Sequence, residues 1–390
     1  MNGFVNDRWH TGKGKAKEKT SRYGVGKQWQ AVWLDPKGQQ HSKAFSTRDE
    51  ARSFLEQTNV TKLTGAYIDP NAGKMTLSAY VEGTFLPLSR VRENTMRNRV
   101  TAWSVHTKER LGDYPLVSIT TSIVNTWLKE LEEKGLAITT RKRIRSFLGQ
   151  ALDAAVEDGK IVKNPLRSKT TYLGPNPRKE MVVWSEQTAS AIHERLSERY
   201  RIAFLLGAHL GLRQGEVFGL AVEDINFLKK KITIRRQVKQ EGKVFIYGST
   251  KTQRERTIPV SDHLVMALSA HIQAFPPKAI TLPFDRTTGK PITASLILTD
   301  KNGGPVRALS FNAIPWKRAT QGLGQPKGFH QLRHYFASHF LANGGSVTEL
   351  SVILGHTNTS MTLNTYAHLV PNSDERARKV MDSGWTVNGQ

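Results

Sequence analysis

Phe329-His330-Gln331-Leu332-Arg333-His334-Tyr335, then Leu354-Gly355-His356, then Thr365-Tyr366-Ala367-His368, set a histidine, an arginine, a second histidine and a tyrosine in fixed order near the end of the chain. Upstream, Gly211-Leu212-Arg213-Gln214-Gly215-Glu216 supplies another arginine, and Ser249-Thr250-Lys251-Thr252 a lysine. Two arginines, a lysine, two histidines and a tyrosine are the residue types that cleavage of a phosphodiester by tyrosine, without a metal, requires. Arginine offsets charge on the nonbridging oxygens, because its planar fork meets two of them and stays protonated. Histidine moves protons near pH 7. Lysine becomes a general acid once burial or neighbouring cations lower its pKa. Tyrosine is a competent nucleophile where cations stabilise its phenolate.

Each of these residues has a plainer reading when taken alone. Arg213 suits the surface at a helix end, His330 the start of a helix, and Arg333 with His334 a patch of surface charge. Tyr335 rivals Tyr366 but falls on an apolar helix face with Phe336 and Phe340. The functional reading rests on all of them occurring together. No Asp/Asp/Glu set has the spacing of a two-metal nuclease, and no Walker-type glycine loop is present. The sequence therefore calls for no metal and no cofactor.

Composition agrees with a polyanionic partner. The 390 residues carry a net charge of +24, with Lys and Arg spread along the whole length, and each phosphate neutralised by such cations releases counterions. Hydrophobic content of 38% and charged content of 23% describe a folded protein, and the length calls for two or three domains. Absence of cysteine excludes disulfides, thiolate metal sites and a cysteine nucleophile. No apolar run approaches a membrane span, and Met1-Asn2-Gly3-Phe4-Val5-Asn6-Asp7 lacks the apolar core of a signal peptide.

Working outward, residues 1–20 are polar and lysine-rich (Lys13, Lys15, Lys17, Lys19) and read as a flexible arm. Trp29-Gln30-Ala31-Val32-Trp33-Leu34 reads as a strand, Asp35-Pro36-Lys37-Gly38 as a turn, and His41–Phe45 as the return strand. Thr47 with Glu50 forms a capping box, and Ala51, Phe54 and Leu55 share a helical face. Asp69-Pro70-Asn71-Ala72-Gly73 is a linker. Helical periodicity follows, marked by Tyr80, Phe85, Trp103 and Leu111, then by Ile119, Val124, Trp127 and Leu128, then by Ile144, Leu148, Leu152 and Val156. Arg97, Arg99, Arg141, Lys142, Arg143 and Arg145 on these helices are candidate DNA-phosphate contacts, against the alternative of an ordinary solvated face. Residues 166–180 form a basic second linker. Beyond it come a helix from Ser185, an apolar helix from Arg201 ending in Gly211, and strands at Ile232–Ile234, Lys243–Ile246 and Arg256–Val260. Lys251 falls in the turn between the last two strands, and the chain reads as helical again from Ser310 to Ala367.

The Arg213 motif, the His330-to-Arg333 motif, Leu354-Gly355-His356 and Tyr366 together resemble the signature of the tyrosine recombinase family, the phage-type integrases. The match is close from about 180 to 370. The preceding helical unit is similar to the family's core-binding domain in placement and charge, and the first 65 residues resemble the arm-type domain of integrases from actinobacterial phages and integrative plasmids. The resemblance implies a multidomain, mainly α protein with small β-sheets. Its parts would be an N-terminal three-stranded sheet plus helix over 1–65, a helical core-binding (SAM-like) domain over 75–166, a mixed α+β catalytic domain over 180–372, and a tail over 373–390.

The same resemblance implies roles. Arg213 and Arg333 would clamp the scissile phosphate, and Lys251 would protonate the leaving 5′-oxygen. His330 would be the general acid/base, and His356 would hydrogen-bond a phosphate oxygen. Tyr366 would attack to give a 3′-phosphotyrosine, while Glu216 would orient Arg213. The expected activity is site-specific integration, and excision, of a phage or mobile element. Expected partners are double-stranded attachment-site DNA, three further copies in a tetramer, a host DNA-bending protein and an excisionase, all in the bacterial cytosol at the nucleoid. The alternatives are a type IB-like topoisomerase and a catalytically silent DNA-binding regulator.

Overall fold

The structure, a computed structural model, describes residues 3–12, 17–36, 38–63, 67, 72–91, 93–174, 182–249, 255–323, 328–366, 378 and 381–382. It divides into two compact units, Met1–Arg178 and Lys179–Gln390. Small antiparallel sheets punctuate a mainly helical chain.

In the first unit, Trp29–Leu34 is the centre of a three-stranded sheet. Phe4–Asp7 lies antiparallel on one side, with Phe4 opposite Val32, and Gln40–Phe45 on the other, with Trp29 opposite Phe45. The helix Arg48–Leu63 closes one face, burying Ala51 and Leu55 against Ala31 and Trp33. Its start is fixed as the capping box requires: Glu50 N–H donates to Thr47 Oγ1, and Thr47 N–H to the Glu50 carboxylate, each at 3.3 Å. The flexible arm expected over residues 1–20 is corrected here. Phe4–Asp7 is a sheet strand, and His10–Thr11 pairs with Glu18–Lys19. Little hydrophobic patterning announces these strands. They are held by ladder bonds and by the Asp7 carboxylate, which accepts from the Trp9 and His10 amides and from Gln28. Lys13 and Lys15 lie outside the described residues.

From Ala72 on, the described residues of the first unit are mainly helical. Glu93–His106, Thr121–Glu133 and Ile138–Glu157 surround a core of Leu77, Tyr80, Trp103, Leu111, Val124, Trp127, Leu128, Ile144, Leu148 and Leu152. The spacing of apolar residues in the sequence marked most of these positions, because each helix turns one stripe inward.

The second unit is built round the helix Glu198–Leu210, whose buried face of Ile202, Ala203, Leu206 and Leu210 belongs to the main core together with Leu332 of the helix Gln331–Ala342. One three-stranded sheet has the order 256–259, 231–234, 225–226. Two hairpins, Arg236–Glu241 with Val244–Ser249 and Lys278–Pro283 with Pro291–Leu296, complete the β content of its described residues. The sequence patterning did not reveal Arg236–Glu241, because Val238 is its only apolar residue. The helices Gln331–Ala342, Val347–Leu354 and Thr359–Tyr366 share a smaller core of Phe336, Ala337, Leu341, Leu350, Leu354 and Tyr366.

Candidate active site

Two glycines set the backbone of the site. Gly211 ends the helix Glu198–Leu210 in the left-handed region (φ 61°), and a Cβ there would sit 2.6 Å from both Leu354 and Phe336. Glycine alone satisfies both the dihedral angle and the space. The chain then turns so that Arg213 begins the next helix, Gln214–Phe218. Gly355 ends Val347–Leu354 in the same way (φ 62°), against the guanidinium of Arg256. These helix ends bring the carbonyls of Gly211, Leu354 and Gly355 to a common place, where arginines meet them.

Arg333 is the hub. It is 2% exposed, donates from Nη1 to the Gly211 carbonyl at 2.8 Å and from Nη2 to the Leu354 carbonyl at 2.6 Å, and its Nη2 lies 2.8 Å from His356 Nε2. Burial, with the positive charges of Arg213 and Arg256, pushes its pKa down to about 9, so it remains a cation at neutral pH. Arginine only donates. His356 Nε2 must therefore accept, and the ring proton sits on Nδ1, which donates to Thr362 Oγ1 at 2.7 Å. Burial, then the neighbouring cations Arg333, Arg213 and Arg256, push the His356 pKa down to about 4, which agrees with a neutral ring.

Arg213 is held by Glu216. Its backbone N–H and its Nη1 both donate to that carboxylate, at 3.0 and 2.9 Å, and its Nη2 reaches the Gly355 carbonyl at 3.5 Å. Glu216 is 1% exposed and also receives both terminal nitrogens of Arg256, at 3.1 and 2.6 Å. Burial pushes its carboxyl up, but the hydrogen bonds and charges of Arg256 and Arg213 outweigh burial and hold it below the usual carboxylate value. Arg256 in turn donates from Nε to the Ile353 carbonyl at 2.8 Å. One carboxylate thus ties Arg213 to the loop that carries His356.

Tyr366 is 1% exposed, and its Oη lies 2.9 Å from His334 Nδ1. Burial raises its phenol above the ordinary value, and Arg333 pulls it part of the way back. His330, exposed at the start of the helix Gln331–Ala342, meets His334 edge to face at 4.9 Å. Tyr335 is partly buried against the main core.

The structure therefore gathers Arg213, Glu216, His330, Arg333, His356 and Tyr366 at one place. Lys251 lies outside the described residues. Two members were missed in the sequence. Arg256 shares the inward face of its strand with Ile258, and a charge on a core-facing position was the available signal. His334 was read together with Arg333 as possible surface charge, although one helical position separates it from the hub.

The candidate phosphate contacts in the first unit divide. Lys142 and Arg143 are exposed. Arg141 is a correction: it is buried, paired with Glu132 at 2.8 Å and donating to the Leu173 carbonyl at 3.1 Å, so it packs its own unit. Arg145 is partly buried and donates to the Leu166 carbonyl at 2.9 Å. Arg97 pairs with Glu93, and Arg99 bonds Ser89 and Gln150.

Residues 185–373 match the phage integrase family. A XerC-like tyrosine recombinase of Caldanaerobacter subterraneus subsp. tengcongensis is 27% identical over 283 residues, which span 68% of this chain and 72% of that protein. Among solved structures, the Tn1549 transposon integrase in complex with transposon right end DNA superposes with a TM-score of 0.68 at 23% identity, covering 79% of this chain and 99% of that one. A lambda integrase from a tetramer bound to a Holliday junction superposes with a TM-score of 0.57 at 17% identity, covering 85% of this chain and 94% of that one.

Proposed function

We propose that this chain, whose residues 185–373 match the phage integrase family, is a tyrosine recombinase: a site-specific DNA recombinase that integrates a phage or other mobile element through a 3′-phosphotyrosine intermediate. The observation that carries the reading is the convergence of two arginines, two histidines and a buried tyrosine from segments more than a hundred residues apart on one cluster of helix ends. A merely structural cluster would have no use for that set.

Arg333 and Arg213 bind the scissile phosphate. Both are pinned before substrate arrives, one by carbonyls and one by a carboxylate, so little reorganisation accompanies the build-up of charge on the phosphate oxygens. His356 bonds a phosphate oxygen once its Nε2 gives up the contact with Arg333 and takes the ring proton. Tyr366 attacks phosphorus in line with the 5′-oxygen, which Lys251 protonates, and His330 assists proton transfer beside the phosphate. Because Tyr366 is 1% exposed, bound DNA has to uncover its Oη before attack. The bond energy stays in the phosphotyrosine, so resealing needs no nucleotide. Exposed Lys142 and Arg143 contact the DNA backbone. The functional assembly is a tetramer on two duplexes, with a bending protein and an excisionase as further partners and the bacterial nucleoid as its location.

The test uses plasmids carrying the junctions of DNA that flanks the gene. Recombination confined to plasmids with a matched pair of junctions supports the proposal. Relaxation of any supercoiled plasmid without such junctions assigns the chain to topoisomerase-like activity, and binding without strand cleavage assigns it to a silent regulator.

A further inference from the structure

We infer that His334 is the base for the nucleophile: its Nδ1 takes the proton from Tyr366 Oη as the phenol attacks and returns it when the DNA strand is resealed. This rests on the reading of Tyr366 as the nucleophile.

The geometry carries the assignment. His334 Nδ1 and Tyr366 Oη are 2.9 Å apart, hydrogen-bond distance for the proton in question. The rings lie 5.7 Å apart between centroids, and Tyr366 is 1% exposed, so phenol and imidazole meet in direct contact. His334 follows Arg333 directly in the helix Gln331–Ala342, and that arginine is anchored to Gly211 and Leu354. The phosphate clamp and the base therefore belong to one rigid turn.

The other histidines of the site are less well placed. Both nitrogens of His356 are engaged, with Arg333 and with Thr362. His330 is exposed at the helix start, with its ring against His334. The groups facing His334 are Arg333 and His330 from its own helix and Tyr366 from the helix Thr359–Tyr366. Burial and then the charge of Arg333 lower its pKa, so the ring is neutral at pH 7 and able to accept. Burial raises the phenol above its ordinary value, so at pH 7 it is protonated and its proton has to be taken as it attacks.

The step balances. The Oη–H bond breaks and its proton passes to Nδ1. The Oη electron pair forms the bond to phosphorus, the P–O5′ bond breaks, and O5′ takes a proton from the leaving-group side of the site. On resealing, the 5′-hydroxyl returns its proton to the group that supplied it and attacks, the Oη–P bond breaks, and Nδ1 hands its proton back to Oη.

The experiment is single-turnover cleavage of a nicked suicide duplex by the full chain from pH 5 to 10. It compares wild type, Tyr366→Phe, His334→Asn and His334→Gln. Asparagine sets an amide oxygen where Nδ1 was, so it keeps the bond to Oη and cannot take the proton. Glutamine serves if the asparagine variant does not fold. The expected result is a wild-type rate that rises and then levels off with pH, and a variant rate about 100-fold lower at pH 7 that climbs through the alkaline range without levelling. Installing 3,5-difluorotyrosine at position 366, which ionises more easily, should recover at least about tenfold in the variant and far less in the wild type. Cleavage by the variant within about threefold of wild type overturns the inference, and so does a slower variant with an unchanged pH profile and no fluorotyrosine rescue. If Tyr366→Phe still forms the covalent complex, the nucleophile reading itself falls and this inference with it.

Discussion

Replacing Glu216 tests how the arginines are held. Its carboxylate accepts four hydrogen bonds, two from Arg213 and two from Arg256, with 1% of its surface exposed. Glu216→Gln keeps shape and volume but puts an NH₂ group where Oε2 now receives Arg256 Nη2 at 2.6 Å and the Arg213 amide at 3.0 Å. Two donors would then face donors, and two buried or half-buried guanidinium groups would lose their counter-charge. Removing one partner from a buried pair costs about 3–5 kcal/mol, a large part of the roughly 5–15 kcal/mol that holds a typical protein folded. The same substitution releases Arg213, so cleavage should fall further than the loss of folded protein explains. Urea unfolding at pH 7, with cleavage measured on the folded fraction, checks both effects. Glu216 also predicts a pH response. Its folded pKa is depressed below the unfolded value of about 4.3, so its stabilisation is fully present above that pH and is lost as pH falls through the folded value. Wild type should therefore lose stability on acidification, and Glu216→Gln should lose less over the same window. A destabilisation under about 1 kcal/mol at pH 7, with normal cleavage, would refute the argument that this carboxylate organises the site.

Arg333→Lys cannot reproduce a fork that reaches Gly211, Leu354 and His356 together, so covalent-complex formation should drop about 100- to 1,000-fold, measured on the suicide duplex. Gly211→Ala forces a side chain into a left-handed residue and into Leu354 and Phe336, and should cost at least about 1–3 kcal/mol by urea unfolding. DNA binding should weaken steeply with salt, and the double variant Lys142→Ala, Arg143→Ala should reduce the log–log slope by about 2 in a fluorescence-anisotropy titration. Arg141→Ala, by contrast, should lower the thermal stability of the helical unit and leave that slope nearly unchanged.

Much of the site was legible in the sequence because its residue types are chemically unusual in combination. Arginine after a left-handed glycine, histidine three positions before a second arginine, and a tyrosine after Leu354-Gly355-His356 each sit at helix ends, where glycines and caps leave a clear trace. The helical core was legible for a different reason, since residues such as Ile144, Leu148 and Leu152 recur four apart along one buried stripe. What escaped was whatever depends on contacts between distant segments. Arg256 looked like no more than the first residue of a strand, and only the fold reveals that it shares Glu216 with Arg213. His334 and Tyr366 are 32 positions apart, and nothing in either local pattern announces their bond. Arg141 was misread for the same reason: its partner Glu132 lies across a helix–helix turn, so a residue that packs the unit resembled one facing solvent. The strands at Phe4–Asp7 and Arg236–Glu241 carry too few apolar residues for alternation to reveal them.

The central claim, that Tyr366 becomes covalently joined to DNA, is tested most directly by trapping the complex on a nicked duplex, digesting protein and DNA, and locating the modified residue by mass spectrometry. The account predicts a nucleotide linked through its 3′-phosphate to the peptide containing Tyr366, and none in Tyr366→Phe. A linkage on Tyr335 or any other residue, or a 5′-phosphate linkage, would contradict it.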